Sequence, residues 1–109
     1  MALLIGQIGW IRCPGDRLDL ATAWAVSQDA ETAFAAGARD LVIDLSHIAT
    51  IDPDGVAALA EVARRAGDGA RLALAALQPQ AEAVAHLTRL DELFLMFKTI
   101  QAAQAALEE

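Results

Sequence analysis

The stretch Leu41-Val42-Ile43-Asp44-Leu45-Ser46-His47-Ile48-Ala49-Thr50-Ile51-Asp52-Pro53-Asp54-Gly55-Val56 passes from a nearly continuous apolar run to a helix start. Leu41 to Leu45 has the composition of a central parallel strand covered on both faces by helices. Asp52 suits a helix N-cap, and Pro53 suits the first turn, where its missing N–H costs nothing. Val56, Leu59, Ala60 and Ala63 then supply an apolar face. Arg64 and Arg65 stand near the C-terminal end, where positive charge suits the helix dipole, and Glu61 is spaced to pair with Arg65. Gly67-Asp68-Gly69 ends this helix.

Upstream, Leu3 to Arg12 is apolar but interrupted by Gly6 and Gly9, which predicts two short strands or one strand with a bulge. Pro14-Gly15-Asp16 reads as a turn. From Asp19 the spacing of Ala23, Val26, Ala30, Ala33 and Phe34 predicts a helix that stops at Gly37. Downstream, Arg71 to Leu77 alternates as a strand. Pro79 opens a helix to about Thr88 with Val84 and Leu87 facing inward, and Leu93 to Phe97 suits a brief strand or extended connection. Thr99 is placed to cap a last helix carrying Ile100, Ala103 and Leu107. The order predicts one α/β domain over residues 1–109, a small mixed, mostly parallel sheet flanked by about four helices.

The composition agrees with this reading. The 109 residues fit one domain, 56% are hydrophobic, and alanine makes up about a quarter, so many core contacts must come from small side chains. A net charge of −7 has the wrong sign for phosphate backbones or anionic lipid, which argues against nucleic acid and membrane surfaces as partners. The single cysteine, Cys13, allows no intramolecular disulfide and suits a reducing compartment. No apolar run reaches the length of a membrane span, and no signal peptide is visible, so a cytoplasmic location is expected.

Four segments in order carry a family resemblance: Gly15-Asp16-Arg17-Leu18-Asp19, Ala36-Gly37-Ala38-Arg39-Asp40-Leu41-Val42-Ile43-Asp44-Leu45-Ser46, Ile51-Asp52-Pro53-Asp54-Gly55-Val56, and Leu87-Thr88-Arg89-Leu90-Asp91-Glu92-Leu93-Phe94. From about Gly15 onward the chain resembles the STAS domain, the fold of bacterial anti-sigma factor antagonists. The resemblance implies a non-catalytic protein that docks a sigma-sequestering serine kinase and needs no cofactor. It implies a partner surface on the loop and start of the second helix: Asp52, Pro53, Asp54, Gly55, Val56 and Leu59. In that family the loop usually carries two hydroxyl residues between the aspartate and the glycine, and the kinase phosphorylates the second. Here Pro53 and Asp54 occupy those places, with Asp54 in the phosphoacceptor position.

Two readings of Asp54 follow. A carboxylate in the first turn of a helix is stabilised by unpaired N–H groups and the positive dipole end, which is simple capping chemistry. Alternatively it resembles a fixed, partial phosphoserine, with one negative charge where phosphate carries about 1.5 to 2. Serine phosphorylation there is excluded in either case. The family's early motif is usually one residue shorter, which predicts a longer or bulged turn at Gly15 to Asp19. Arg89 replaces a common glycine, so the third helix is expected to end without a left-handed glycine.

Other residues favour plainer roles. Asp44, Ser46, His47 and Asp52 include the residue types of a hydrolase triad, but consecutive residues at a strand end point apart and no nucleophile elbow surrounds Ser46. Ser46 and His47 are expected in a surface connection. His47, His86 and Cys13 are too scattered for a zinc site, and no phosphate-binding glycine motif occurs, so no metal or nucleotide is expected. Trp10 and Trp24 are expected to be partly buried in the core, and Asp91, Glu92, Glu108 and Glu109 to form a solvated face. Beside the anti-sigma kinase, a transporter ATPase is an alternative partner, as is a larger assembly in which the chain serves as small-molecule sensor or scaffold; self-association is left open.

Overall fold

A computed structural model describes residues 2–67 and 69–108. The elements follow in the order β1 (Ala2–Ile5), β2 (Ile8–Arg12), β3 (Arg17–Leu18), α1 (Leu20–Ala35), β4 (Asp40–Asp44), β5 (Thr50–Ile51), α2 (Pro53–Ala66), β6 (Arg71–Ala75), α3 (Pro79–Leu87), a 3-10 turn at Leu90–Glu92, β7 (Leu95–Phe97) and α4 (Ile100–Leu107). The main sheet has the order β1-β2-β4-β6-β7. Its β1–β2 pair is an antiparallel hairpin, and the other pairs are parallel. This is the mixed, mostly parallel sheet with four helices that the sequence predicts.

Gly6 breaks the first apolar stretch into two strands, turning the chain with a φ of +61°. Gly9 serves a different purpose. A β-carbon there would come within 2.9 Å of the Ala33 β-carbon, so glycine lets α1 lie directly on β2. The β4 strand runs through the middle of the sheet, with Leu41, Val42 and Ile43 fully buried. Their alternation feeds two layers: Leu41 and Ile43 pack with residues of α1, α2 and α3, whereas Val42 packs with Ala103 and Leu107 of α4. At its start Asp40 accepts from the Arg71 guanidinium at 2.8 Å, and Arg71 also donates to the Leu107 carbonyl at 2.9 Å, tying β4, β6 and α4 together.

Several expectations need correction. The β6 strand stops at Ala75 rather than Leu77, because Ala76 takes a left-handed conformation with φ +64°. Leu87 is 83% exposed rather than inward-facing; α3 is buried through Ala81 and Ala85, with Val84 half-buried. Leu87 lies two residues past Ala85, on the far side of the helix. The buried stripe of α2 is Gly55, Leu59 and Val62, with Val56, Ala58, Ala63 and Ala66 half-buried beside it, so Val62 and not Ala60 anchors its centre. Trp10 is half-buried as expected, but Trp24 is 66% exposed. The third helix does end on a left-handed residue, and Arg89 itself adopts it with φ +63°. Asp68 and Glu109 lie outside the described residues.

Candidate functional site

Asp19 and Asp52 start two adjacent helices in the same way. Asp19 accepts the Thr22 N–H at 3.0 Å, and Thr22 Oγ1 accepts the Asp19 N–H at 2.8 Å, a reciprocal capping box. The Thr22 backbone hydrogen bond, with its side-chain bond and Arg17 in support, holds the Asp19 carboxyl below its ordinary range. Asp52 Oδ1 accepts the Gly55 N–H at 2.9 Å. Each aspartate follows an isolated apolar residue in a two-residue strand, Leu18 in β3 and Ile51 in β5, and these strands pair in parallel as a second small sheet. This sheet was not legible as strand periodicity because two residues have none.

The small sheet fixes the turn before α2. Ala49 N–H donates to the Asp16 carbonyl at 2.8 Å, and Asp52 N–H donates to the Leu18 carbonyl at 3.1 Å. Gly55 is buried against the same strand, where a β-carbon would come within 2.3 Å of the Leu18 carbonyl oxygen. The loops opening α1 and α2 therefore form one rigid face. Gly15, with φ +77°, turns the chain into it.

The free donors at the start of α2 can be counted. Asp52 N–H is bonded to Leu18, Pro53 has none, and Gly55 N–H is bonded to Asp52. Among the described residues the Asp54 N–H makes no hydrogen bond, and the exposed Asp54 carboxylate has neither a hydrogen bond nor an ion pair. The cap is thus supplied by Asp52, and Asp54 presents its charge to solvent. Pro53 is likewise exposed and Val56 half-buried. Leu59 is fully buried and Gly55 is buried, so these two of the expected contact residues seat the helix on the core instead of facing outward.

The face continues across α1. Arg65 of α2 pairs with Glu31 of α1 at 2.8 Å, and Phe34, Val62 and Ala66 line the groove of about 310 Å3 between the helices. Counting back from Glu31 by helical steps of seven and four reaches Trp24 and Leu20, both 66% exposed; counting back from Arg65 reaches Glu61, Ala58 and Asp54. Leu20, Trp24 and Asp54 thus belong to the stripes flanking one inter-helix groove, near its N-terminal end. Sequence reading favours partial burial over an interface role for Trp24 and passes over Leu20, although their i,i+4 spacing falls off the Ala23–Val26–Ala30–Ala33 core stripe and marks both as outward.

The triad residues are not brought together. His47 faces the Arg12 guanidinium, while Ser46 N–H donates to Asp44 Oδ1 at 2.9 Å and the Ser46 carbonyl accepts from Gln78 at 3.0 Å. No hydrogen bond joins Ser46 to His47 among the described residues. His86 pairs with Asp91 at 2.9 Å. Among the described residues no group of three His, Cys, Asp or Glu side chains is arranged to hold a metal, and no helix is long and apolar enough to cross a membrane.

Comparison with known proteins bears on this geometry. Residues 3–103 match the family model of the STAS domain. An anti-sigma factor antagonist from Mycobacterium paratuberculosis superposes with a TM-score of 0.86 at 26% identity, covering 100% of this chain and 92% of that one. An anti-sigma-factor antagonist (STAS) domain protein from Planctomyces limnophilus gives 0.82 at 20% identity, over 100% and 97%. The anti-sigma factor antagonist SpoIIAA in its unphosphorylated form gives 0.78 at 18% identity, over 99% and 95%, and the Bacillus cell fate determinant SpoIIAA in its phosphorylated form gives 0.71 at 19%, over 98% and 97%. No match was found among the curated proteins.

Proposed function

The chain belongs to the STAS domain family, and from that membership we propose that it is a non-catalytic docking protein for an anti-sigma factor of the serine-kinase type. The docking surface comprises Pro53, Asp54 and Val56 at the start of α2, extended by Leu20 and Trp24 of α1. The observation that carries this reading is the division of labour between two aspartates. Asp52 caps the helix through Gly55, which leaves Asp54, in the family's phosphoacceptor position, exposed and without a partner among the described residues.

An exposed carboxylate beside a free backbone N–H reproduces part of the charge of a phosphorylated side chain at that site. SpoIIAA, a neighbour in fold, exists in phosphorylated and unphosphorylated forms. In this chain the charge is permanent, so Asp54 holds partner binding at a fixed, weakened level that phosphorylation of residue 54 cannot switch. Leu20 and Trp24 supply the apolar contact that a charged turn alone lacks, and exposed tryptophans are common anchors of protein interfaces.

The reading is tested by capturing the native partner, expected to be a kinase-type anti-sigma factor, and titrating the 15N-labelled protein with it. Amide shifts at Asp54, Gly55 and Val56, with movement of the Trp24 indole N–H, are expected. Shifts confined to α3 and α4 would contradict the proposal.

A further inference from the structure

The two edges of the main sheet differ. At one edge β7 has three residues, is packed by α4 and the 3-10 turn, and is followed at once by exposed Lys98, a charge that discourages strand addition. At the other edge β1 has four residues, Ala-Leu-Leu-Ile, with no proline, bulge or charge, and residues 2–11 carry no charged side chain at all. Leu3 and Ile5 are 60% and 54% exposed. They lie opposite Trp10 and Ile8, on the α4 side of the sheet; Ile8 is buried in the cluster that holds Ala103 and Leu107 of α4, whereas Leu3 and Ile5 lie outside that cluster.

The hairpin register sets what the free edge offers. Ile5 and Ile8 flank a two-residue turn and form its hydrogen-bonded pair. Pairs then alternate along an antiparallel ladder, so Leu3 also bonds to β2, while the N–H and C=O groups of Ala2 and Leu4 point away from the sheet. A strand added there would find an open row of donors and acceptors, flanked by the exposed side chains of Leu3 and Ile5.

We propose that the occupant of this edge is β1 of a second copy, paired antiparallel about a two-fold axis at Leu4. Three observations select the second copy. An antiparallel strand is complementary to itself under two-fold rotation, so one edge supplies both halves of the interface. That register sets Leu4 opposite Leu4 of the second copy as a hydrogen-bonded pair and Leu3 opposite its Ile5, so that these two exposed side chains cover each other. Finally, two chains of net charge −7 repel wherever carboxylates meet, and β1 with its turn is a stretch on which they can approach without placing like charges together.

Sedimentation of the full chain across a range from about 1 to 500 μM tests the proposal. The wild type is expected to shift from monomer to dimer mass. Leu4→Pro removes an N–H that points away from β2, so the hairpin ladder stays intact while the new pairing loses its central donor. It is expected to weaken self-association at least tenfold, as is Ile5→Lys, which keeps every backbone group and guards against a folding defect in the proline variant. Leu95→Lys on the opposite edge is expected to leave the dimer unchanged. A wild type that stays monomeric throughout, or a dimer that survives Ile5→Lys and a folded Leu4→Pro, would overturn the proposal.

Discussion

Gly55 lies so close to Leu18 that a β-carbon would come within 2.3 Å of the Leu18 carbonyl oxygen, joining the first turn of α2 to the strand before α1. An alanine in an exposed helix normally stabilises it relative to glycine by about 0.5–1 kcal/mol. Here the sign reverses. Gly55→Ala must push α2 from β3, and a loss of about 1–3 kcal/mol is expected in urea denaturation. A variant as stable as wild type would show that the small sheet yields easily.

The two aspartates of the same turn should respond differently. Asp52→Ala removes the acceptor of the Gly55 N–H and is expected to cost about 1 kcal/mol. Asp54→Ala removes only an exposed charge near the helix dipole, with an expected cost of about 0.3–0.5 kcal/mol. Equal losses would mean that both carboxylates cap the helix.

At Arg89 the backbone is left-handed, a conformation that disfavours side chains other than glycine. Its ion pair with Glu92 is long, at 3.7 Å, and exposed, so little is lost with the side chain. Arg89→Gly is therefore expected to raise stability by up to about 1 kcal/mol, visible as a higher melting temperature. A lower one would show that the Arg89 side chain contributes more than its geometry suggests.

Cys13 is buried, and burial, with Asp19 and Asp44 nearby, pushes its thiol up to about 11 from an ordinary 9.0. The folded state thus holds the proton over a range in which the unfolded chain releases it. Its contribution to stability is full below pH 9 and falls as pH rises from 9 to 11. Cys13→Ala should flatten that part of the stability profile, and the native thiol should resist alkylation at pH 8. Rapid alkylation of folded protein would contradict this.

These predictions also mark what the sequence discloses. The central strand and the helix starts at Asp52 and Thr99 follow from an apolar run and capping residues, and the structure has them in place, whereas Gly6 and Gly9 leave two strands or one bulged strand open and the structure has two, paired as a hairpin. The small β3–β5 sheet does not follow from periodicity, though the repeated pattern of Leu18-Asp19 and Ile51-Asp52 before a helix is its trace. Leu87 and Trp24 depart from expectation because a large apolar side chain by itself suggests burial, yet both are exposed. In a chain this rich in alanine, α3 packs through Ala81 and Ala85, and α1 through Ala23, Val26, Ala30 and Ala33. At the start of α2 the Asp52 cap is legible in the sequence, but that Asp54 takes no part in it is visible only in the hydrogen bonds.

Trp24 offers a test of the docking face that is independent of charge. As an exposed side chain it should change stability by under about 0.5 kcal/mol when replaced by alanine. Affinity for the anti-sigma factor is expected to fall about tenfold, or about 1.4 kcal/mol. Unchanged affinity would restrict the surface to the start of α2.

The central claim is that Asp54 sets partner binding by its charge, and it is tested most directly by calorimetric titration of Asp54→Ser against the same anti-sigma factor, with and without Mg·ATP. The Asp52 cap keeps the helix start intact in this variant. Without ATP the serine variant is expected to bind more tightly than wild type; with ATP it is expected to acquire phosphate at residue 54 and lose that gain, while wild type responds to neither. An Asp54→Ser variant that binds as wild type does in both conditions would contradict the account.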